Sequence, residues 1–503
     1  MLIVLLTLFG FSYGPYANHL PLGVHNWAQS DRFSVAVMYM DNINFFKAQT
    51  HNLSTIDGRC GVEFPAVQYL SARISALTSP QHLPIIYRSI NLLILLAGIW
   101  FFVRSWKVDS TVKLLAGLIL FFSPVLFFYG FNFLPDTIGL GVLLIGLGYF
   151  IRFTTDQKQK YAIYSLLFAG LATLLKTTCG IYFLALAGCY GLHYLKPFAL
   201  KKGLHILGIL ALIILVVVGY DYYFFHNVNA DFYSRVFMSK QQPITSYEDF
   251  RGLLKGFKYW HGQYMTWPQT LLLTSLITSI FINRKRLSSN ALGNRYLIIS
   301  LVGLIAFLGL MGKQFINHDY YFITSVLPIY SIAIWLLITS QSNVKLVSGK
   351  AFKGILLVLM VWSAFLSISD YGERMSSHFI WKNRDIITDI EWMQNGEAII
   401  DELGIKQNET IFIGYDAAPN TSLVYFNRMG KAFNHEEMSR DSDNMMYWSQ
   451  RIQPSYYIFP NNWAPNLAQD QAWLYARLVP FAKRDKFTIY KPLNYGDEQS
   501  TLH

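Results

Sequence analysis

Residues 204–224 read LHILGILALIILVVVGYDYYF, with Asp221 as the single formal charge in the run. A stretch of this length, rising about 1.5 Å per residue as a helix, matches the roughly 30 Å hydrocarbon core of a bilayer. Similar runs recur, giving expected spans at 1–16, 83–103, 112–130, 136–152, 161–176, 178–195, 204–224, 267–282, 296–312, 320–340 and 353–369. Composition agrees: 53% of the residues are hydrophobic and 14% charged, against about 25% charged in soluble globular proteins. The expected fold class is a polytopic α-helical membrane protein with eleven spans. Met1 to Phe11 is apolar from its first residue and lacks a basic leader, so it reads as a retained span rather than a cleaved signal peptide.

The loops set the expected orientation. Arg104, Lys107 and Lys113 follow the second span, and Arg152, Lys158 and Lys160 follow the fourth. Lys196, Lys201 and Lys202 follow the sixth, Arg284, Lys285, Arg286 and Arg295 the eighth, and Lys345, Lys350 and Lys353 the tenth. Every second loop is short and basic, as cytoplasmic loops are. The net charge of +11 is therefore an orientation signal and not a nucleic-acid footprint. The N-terminus falls inside, while loops 17–82 and 225–266 and the C-terminal tail fall on the outer face. Loop 17–82 places Phe33, Val37 and Met40, then Val67, Leu70 and Ile74, at helical spacing, which predicts interfacial amphipathic helices. Long, structured outer loops favour chemistry at that surface.

From about residue 371 the composition becomes that of a soluble domain. The pattern predicts a helix over Asp385 to Leu403 and a strand over Thr410 to Tyr415. A turn at Pro419 follows, then a helix through Phe426 and strands over Tyr456 to Phe459 and Phe487 to Tyr490. The expected division is thus a transmembrane domain, 1–370, and a small α/β extracytoplasmic domain, 371–503. Neither a GxGxxG nor a P-loop occurs in the tail. Cys60, Cys179 and Cys189 form no disulfide or zinc spacing. Three sequons, Asn52-Leu53-Ser54, Asn408-Glu409-Thr410 and Asn420-Thr421-Ser422, fall on the outer side.

Ionisable groups beside spans carry the most information, because hydrocarbon makes them costly. Asp31 lies in His25-Asn26-Trp27-Ala28-Gln29-Ser30-Asp31-Arg32, just past the first span, where a carboxylate suits a catalytic base. The bland alternative is a surface carboxylate paired with Arg32. Glu63 precedes a helix starting near Pro65, where an acid also suits the helix dipole. Asp136, in Leu134-Pro135-Asp136-Thr137, could equally cap the next span. Lys176 stands at a hairpin tip on the outer side, against the positive-inside trend, which favours anion binding over snorkelling. His318, Asp319, Tyr320 and Tyr321 open the tenth span on the same side, where aromatic residues also form interfacial belts.

These residues, in this order, resemble the polyprenyl-phosphate-sugar-dependent glycosyltransferases. That family includes the dolichyl-phosphate-mannose protein mannosyltransferases and the bacterial lipid A aminoarabinose transferases. The resemblance runs through Asp31, Glu63-Phe64-Pro65 with Tyr69, Arg88, Ser123-Pro124, Phe131 to Asp136, Gly170 to Lys176 and His318 to Pro328. One departure stands out: many relatives carry an acidic pair in the first loop, whereas Arg32 follows Asp31 here. The resemblance implies a C-type glycosyltransferase fold, a polyprenyl-phosphate sugar donor, a lipid, glycan or protein acceptor, and a periplasmic site in a bacterial inner membrane. It implies Asp31 as general base; Lys176 and Arg88 are candidates for the donor phosphate by position, and Arg32 is a further one because it stands where relatives carry a second acid. Glu63, Asp136, Tyr69, His318, Tyr320 and Tyr321 would bind sugar or acceptor, or orient the basic groups. Lipid phosphate leaves without a general acid but needs positive charge nearby. No His/Cys cluster suggests zinc; a divalent cation on the outer carboxylates stays open. The competing reading is a flippase or transporter of lipid-linked sugars, which would place charges deep within broken helices.

Overall fold

The computed structural model describes residues 9–194, 200–232, 234, 237, 241–282, 290–340, 349–376, 390–416, 418–440 and 442–493. Most of residues 1–11, Lys196, Arg284, Lys285, Arg286, Lys345 and the start of the helix expected from Asp385 lie outside them, as do the side chains of Lys201 and Lys202. The chain forms two compact units, each discontinuous in sequence. The first draws on 1–15, 88–223 and 239–372, the second on 16–87, 224–238 and 373–503.

Helices make up the first unit. Among the described residues five helices are long and apolar enough to cross a membrane: Pro80–Arg104, Pro135–Asp156, Gly203–Asp231, Ala291–Phe315 and Lys350–Ser376. Ser110–Phe121 and Pro124–Gly130 make a sixth candidate, bent by 80°. The bend has a local cause. Pro124 has no N–H to continue the ladder and keeps Ser123 extended, and the Ser123 hydroxyl donates instead to the Tyr264 carbonyl at 2.6 Å. The segments expected at 161–176, 178–195 and 267–282 appear as shorter helices, Gln159–Leu175, Gly180–Tyr194 and Trp267–Ile282. The segment at 320–340 is broken into Tyr321–Ser325 and Leu327–Ser340.

Exposure separates central from peripheral helices. Pro135–Asp156 is largely enclosed, while Gly203–Asp231 buries little of itself and exposes Leu204, Leu212, Leu215, Val216 and Val218. An apolar face of that extent is a liability in water and a match for lipid. Pro135–Asp156 can be central because its glycines admit close neighbours. A Cβ on Gly98 would meet the Gly141 carbonyl oxygen at 2.1 Å, so Leu83–Arg104 crosses it backbone to backbone.

Ion pairs mark one end of this unit. Lys107 meets Asp156 at 4.0 Å and Lys353 meets Asp109 at 2.9 Å, joining three of the loops expected to share a face. Asp136 stands at the other end of Pro135–Asp156, about 30 Å away at 1.5 Å per residue, roughly a hydrocarbon thickness.

The second unit joins a helical layer to a sheet. Helices Asn26–Asp41 and Ala66–Thr78 pack over Val35, Tyr39, Cys60, Val62, Ala72 and Phe237. Within the expected amphipathic pattern Phe33 and Val67 are buried, whereas Leu70, Ile74 and Leu77 form an exposed apolar stripe. The five-stranded sheet comprises β1 (Ile411–Gly414), β2 (Gly430–Phe433), β3 (Tyr456–Pro460), β4 (Leu478–Lys483) and β5 (Phe487–Pro492), in the order β2-β1-β3-β5-β4. β1 lies parallel to β2 and β3, and β5 runs antiparallel to β3 and β4.

Three strands fall where the pattern predicts them; β2 and β4 do not announce themselves. β2 is four residues with a glycine and a lysine, and it forms because Gly430 lets Ile411 approach: a Cβ there would sit 1.7 Å from the Ile411 oxygen. β4 carries Pro480 and a bulge, features of an edge strand. The helix expected over Asp385 to Leu403 needs correction. Among the described residues the segment is interrupted: Ile390 and Glu391 are helical, a turn follows, and Gly396–Glu402 is a separate helix after Asn395, which turns left-handed at φ 59°.

Candidate active site

In the second unit, Asp31 sits on the buried face of Asn26–Asp41 and is 3% exposed. Its Oδ1 accepts from Asn420 Nδ2 at 2.8 Å. Beside this bond, Thr421 Oγ1 donates to Ser30 Oγ at 3.1 Å, so two successive residues of one segment grip two successive residues of the helix. Burial raises the Asp31 carboxyl from its ordinary range to about 7; the Asn420 bond and the Arg32 guanidinium pull it down, and Asp416 adds repulsion. A carboxyl half-ionised near neutrality is suited to taking a proton.

The loop carrying Asn420 is tied internally. Asp416 Oδ1 accepts from the Ala418 N–H at 3.0 Å, and its Oδ2 from the Ser422 N–H at 2.9 Å. Asn52 Nδ2 donates to the Pro419 carbonyl at 2.7 Å. His51 adds a second brace. Asn427 Nδ2 donates to Glu397 at 2.6 Å, which turns its Oδ1 toward His51 Nε2 at 3.2 Å. Nε2 therefore carries the ring proton, and Nδ1 accepts from the Ser34 hydroxyl at 2.7 Å. Burial lowers His51 to about 4, so the ring is neutral at pH 7.

Arg32 pairs with Glu63, and Asp31 is buried rather than at the surface. Its Nη2 lies 3.0 Å from Glu63 Oε2, and the guanidinium covers the Phe237 ring at 4.3 Å. Glu63 thus has a basic partner as well as its place before Ala66–Thr78. Tyr69 donates to the Ile43 carbonyl at 2.9 Å and packs edge-on against Tyr39 and Phe45.

In the first unit, Lys176 caps the C-terminus of Gln159–Leu175, and its Nζ lies 3.4 Å from Asp136 Oδ2. Both side chains are buried, 8% and 1% exposed, so Lys176 does not snorkel. Asp136 sits in the first turn of its helix, whose N-cap is Leu134, so it is not the cap itself. Gly139 makes the pairing possible: a Cβ there would lie 2.8 Å from Lys176 Cβ. The ammonium lies 5.8 Å from the centre of the Tyr321 ring, and the rings of His318, Tyr320 and Tyr321 contact one another. Arg88 is buried with its guanidinium 4.2 Å over Phe133, in the turn leading to Asp136.

Lys176, Asp136, His318, Tyr320 and Tyr321 thus converge within the first unit. Asp31 is held by Asn420, and Arg32 by Glu63, within the second. Sequence reasoning missed Asn420, which showed only as part of a sequon, and His51. Asn52 and Asn420 are both buried and hydrogen-bonded, so those two sequons are structural. Asp319, inside the His318 to Tyr321 run, is buried and accepts from the Tyr129 hydroxyl at 2.8 Å. Among the described residues no group of three or more His, Cys, Asp or Glu side chains is arranged to hold a metal ion.

Residues 63–220 match the family model described as Dolichyl-phosphate-mannose-protein mannosyltransferase. No curated protein matches the chain in sequence. Among solved structures, ArnT from Cupriavidus metallidurans bound to undecaprenyl phosphate superposes with a TM-score of 0.59 and 12% identity, over 98% of this chain and 97% of that one. Its apo state gives 0.57 at 12% identity, over 97% and 96%. The arabinofuranosyltransferase AftD from Mycobacteria gives 0.53 at 12% identity, over 97% of this chain but 40% of that one. At such identity the structural likeness is one of fold, and the chain has it from end to end. The resemblance to the polyprenyl-phosphate-sugar-dependent glycosyltransferases therefore holds in the family model and in the fold alike.

Proposed function

We propose that this protein moves a sugar from a polyprenyl-phosphate donor to a hydroxyl acceptor at the outer face of a membrane, with Asp31 as general base. The observation that carries this reading is the Asp31 carboxyl, buried, hydrogen-bonded to Asn420 and poised at about 7. The acceptor oxygen attacks the anomeric carbon, the bond to the phosphate oxygen breaks, and Asp31 takes the acceptor proton. A single displacement of this kind inverts the anomeric centre. The lipid phosphate departs as an anion, and Lys176, Arg88 and Arg32 are the groups assigned to meet its charge. Glu63, Asp136, Tyr69, His318, Tyr320 and Tyr321 are assigned to sugar and acceptor hydroxyls or to orienting those cations.

The membrane arrangement that goes with it has eleven spans, a cytoplasmic N-terminus and the 371–503 domain in the periplasm of a bacterial cell. Support comes from the ion pairs among the basic loops at one end of the first unit, with Asp136 and Lys176 at the other. The exposed Leu70, Ile74 and Leu77 stripe suits a helix lying on lipid. A flippase is disfavoured because Asp136 and Lys176 stand at helix ends rather than at mid-span breaks.

The test is transfer from a fluorescent polyprenyl-phosphate sugar to extracted envelope lipids and glycans, followed by mass spectrometry. Product made by the wild-type protein and absent with Asp31→Asn supports the assignment. Wild-type turnover in that variant sinks it.

A further inference from the structure

The second unit contains a cavity of about 1010 Å³ against the edge strand β2. That is the upper end of the range of small-molecule sites, roughly 300–1,000 Å³. Lys431, the second residue of β2, stands in its wall at 8% exposure. Its Nζ donates to Ser54 Oγ at 2.9 Å and lies over the Phe433 and Trp448 rings at 4.6 and 5.0 Å. Among the described residues no carboxylate reaches it at ion-pair distance. Asp416 and Glu437 share the wall; both Asp416 oxygens are engaged on its own loop, and Glu437 Oε2 accepts from the Asn434 N–H at 2.9 Å. Burial lowers the Lys431 ammonium below its ordinary value, and the Glu437 charge opposes that shift. A buried cation in a polar cavity is a costly feature unless an anion completes it.

The remaining wall names the rest of the ligand. Trp448 offers an aromatic face, flanked by Tyr447 and by Arg451, whose guanidinium lies 5.3 Å from the Trp448 ring. Ser234 Oγ is buried in the wall with no hydrogen-bond partner among the described residues. Side-chain amides and hydroxyls beside an aromatic face suit the alternating hydroxyl and C–H surfaces of a sugar ring. A nucleotide fits less well, because the turn after β1, Gly414-Tyr415-Asp416, lacks a glycine-rich phosphate loop.

We propose that this cavity binds a saccharide bearing an acidic group, phosphate or carboxylate, with Lys431 receiving the anion and Trp448 the ring face. The site goes beyond the transfer reaction, and its lining includes none of the residues assigned to the donor phosphate.

Calorimetric titration of the full-length protein in lipid nanodiscs, without donor lipid, tests this with glucose 1-phosphate, glucuronate, glucose and inorganic phosphate. At least one acidic sugar binds about tenfold more tightly than glucose and than inorganic phosphate, and its identity names the acidic group. Lys431→Met removes most of that preference, and Trp448→Ala weakens every sugar by about tenfold. Arg451→Gln, on the exposed rim, weakens the acidic sugars several-fold and leaves the fold intact, so the proposal stays testable should Lys431→Met not fold. Equal binding of glucose and both acidic sugars, inorganic phosphate binding as tightly as the sugar phosphate, no binding by any sugar, or unaltered affinities in the variants would each overturn it. Because no turnover is read, this outcome is independent of whether the transferase assignment survives.

Discussion

Asn420 Nδ2 donates to Asp31 Oδ1 at 2.8 Å across a sequence separation of 389 residues. The bond favours the ionised carboxylate, against burial, which favours the neutral acid. Asn420→Leu should therefore move the acidic limb of the pH–rate profile above its wild-type position near 7, while Asp31→Asn should lower turnover by about 10²–10⁴-fold at every pH. A limb that stays in place in Asn420→Leu would show that the bond does not tune the base.

The same carboxyl sets a stability dependence of definite sign. Its folded value, about 7, lies above the ordinary 3.8, so folding is undisturbed below about 4 and loses stability as pH rises through 7. At pH 8 Asp31→Asn should be more stable than wild type by up to about 4 kcal/mol, at about 1.4 kcal/mol per pH unit of displacement. The gain should vanish near pH 4. Thermal unfolding in nanodiscs at pH 4, 6 and 8 reads it, and a pH-independent difference would refute the linkage.

Lys176→Ala should raise the apparent KM for the donor lipid about tenfold or more, through loss of a charge-assisted contact with the phosphate. Asp136→Ala should instead destabilise the first unit by about 3–5 kcal/mol, because it leaves the Lys176 ammonium buried without its carboxylate. Double replacement by Met and Leu should recover much of that stability but not the donor affinity. Unchanged donor affinity in Lys176→Ala would remove it from the phosphate site.

Gly139→Ala tests whether the Lys176 position depends on backbone space. The added Cβ would meet Lys176 Cβ at 2.8 Å, so the hairpin tip must shift. Overpacking of this kind costs about 1–3 kcal/mol, and donor KM should rise with it. A variant with wild-type KM and melting temperature would show that the tip yields freely.

Much of the membrane unit was legible in the chain, because lipid imposes a uniform rule on every span. Apolar runs of bilayer length are read locally, whereas the run at 112–130, expected as one span, bends by 80° at Ser123-Pro124. Lys176 stood out because a basic residue at a hairpin tip expected on the outer side breaks the charge trend. Its carboxylate partner, Asp136, had two equally good local readings, as cap or as site; the N-cap at Leu134 removes the first, and the close packing at Gly139 brings the carboxylate to Lys176. The same limit explains β2: Gly430 to Phe433 has weak strand character, and it pairs because Ile411 offers a backbone edge.

By itself the sequence determined a polytopic membrane protein, its orientation signal and the residues worth testing, since hydropathy and charge act through near neighbours and solvent. The tertiary structure alone decided that Asp31 is buried under Asn420, that Arg32 turns to Glu63, and that Lys431 faces a cavity. Those outcomes depend on residues tens to hundreds of positions apart, brought together by backbone pairing and close packing that no local pattern records.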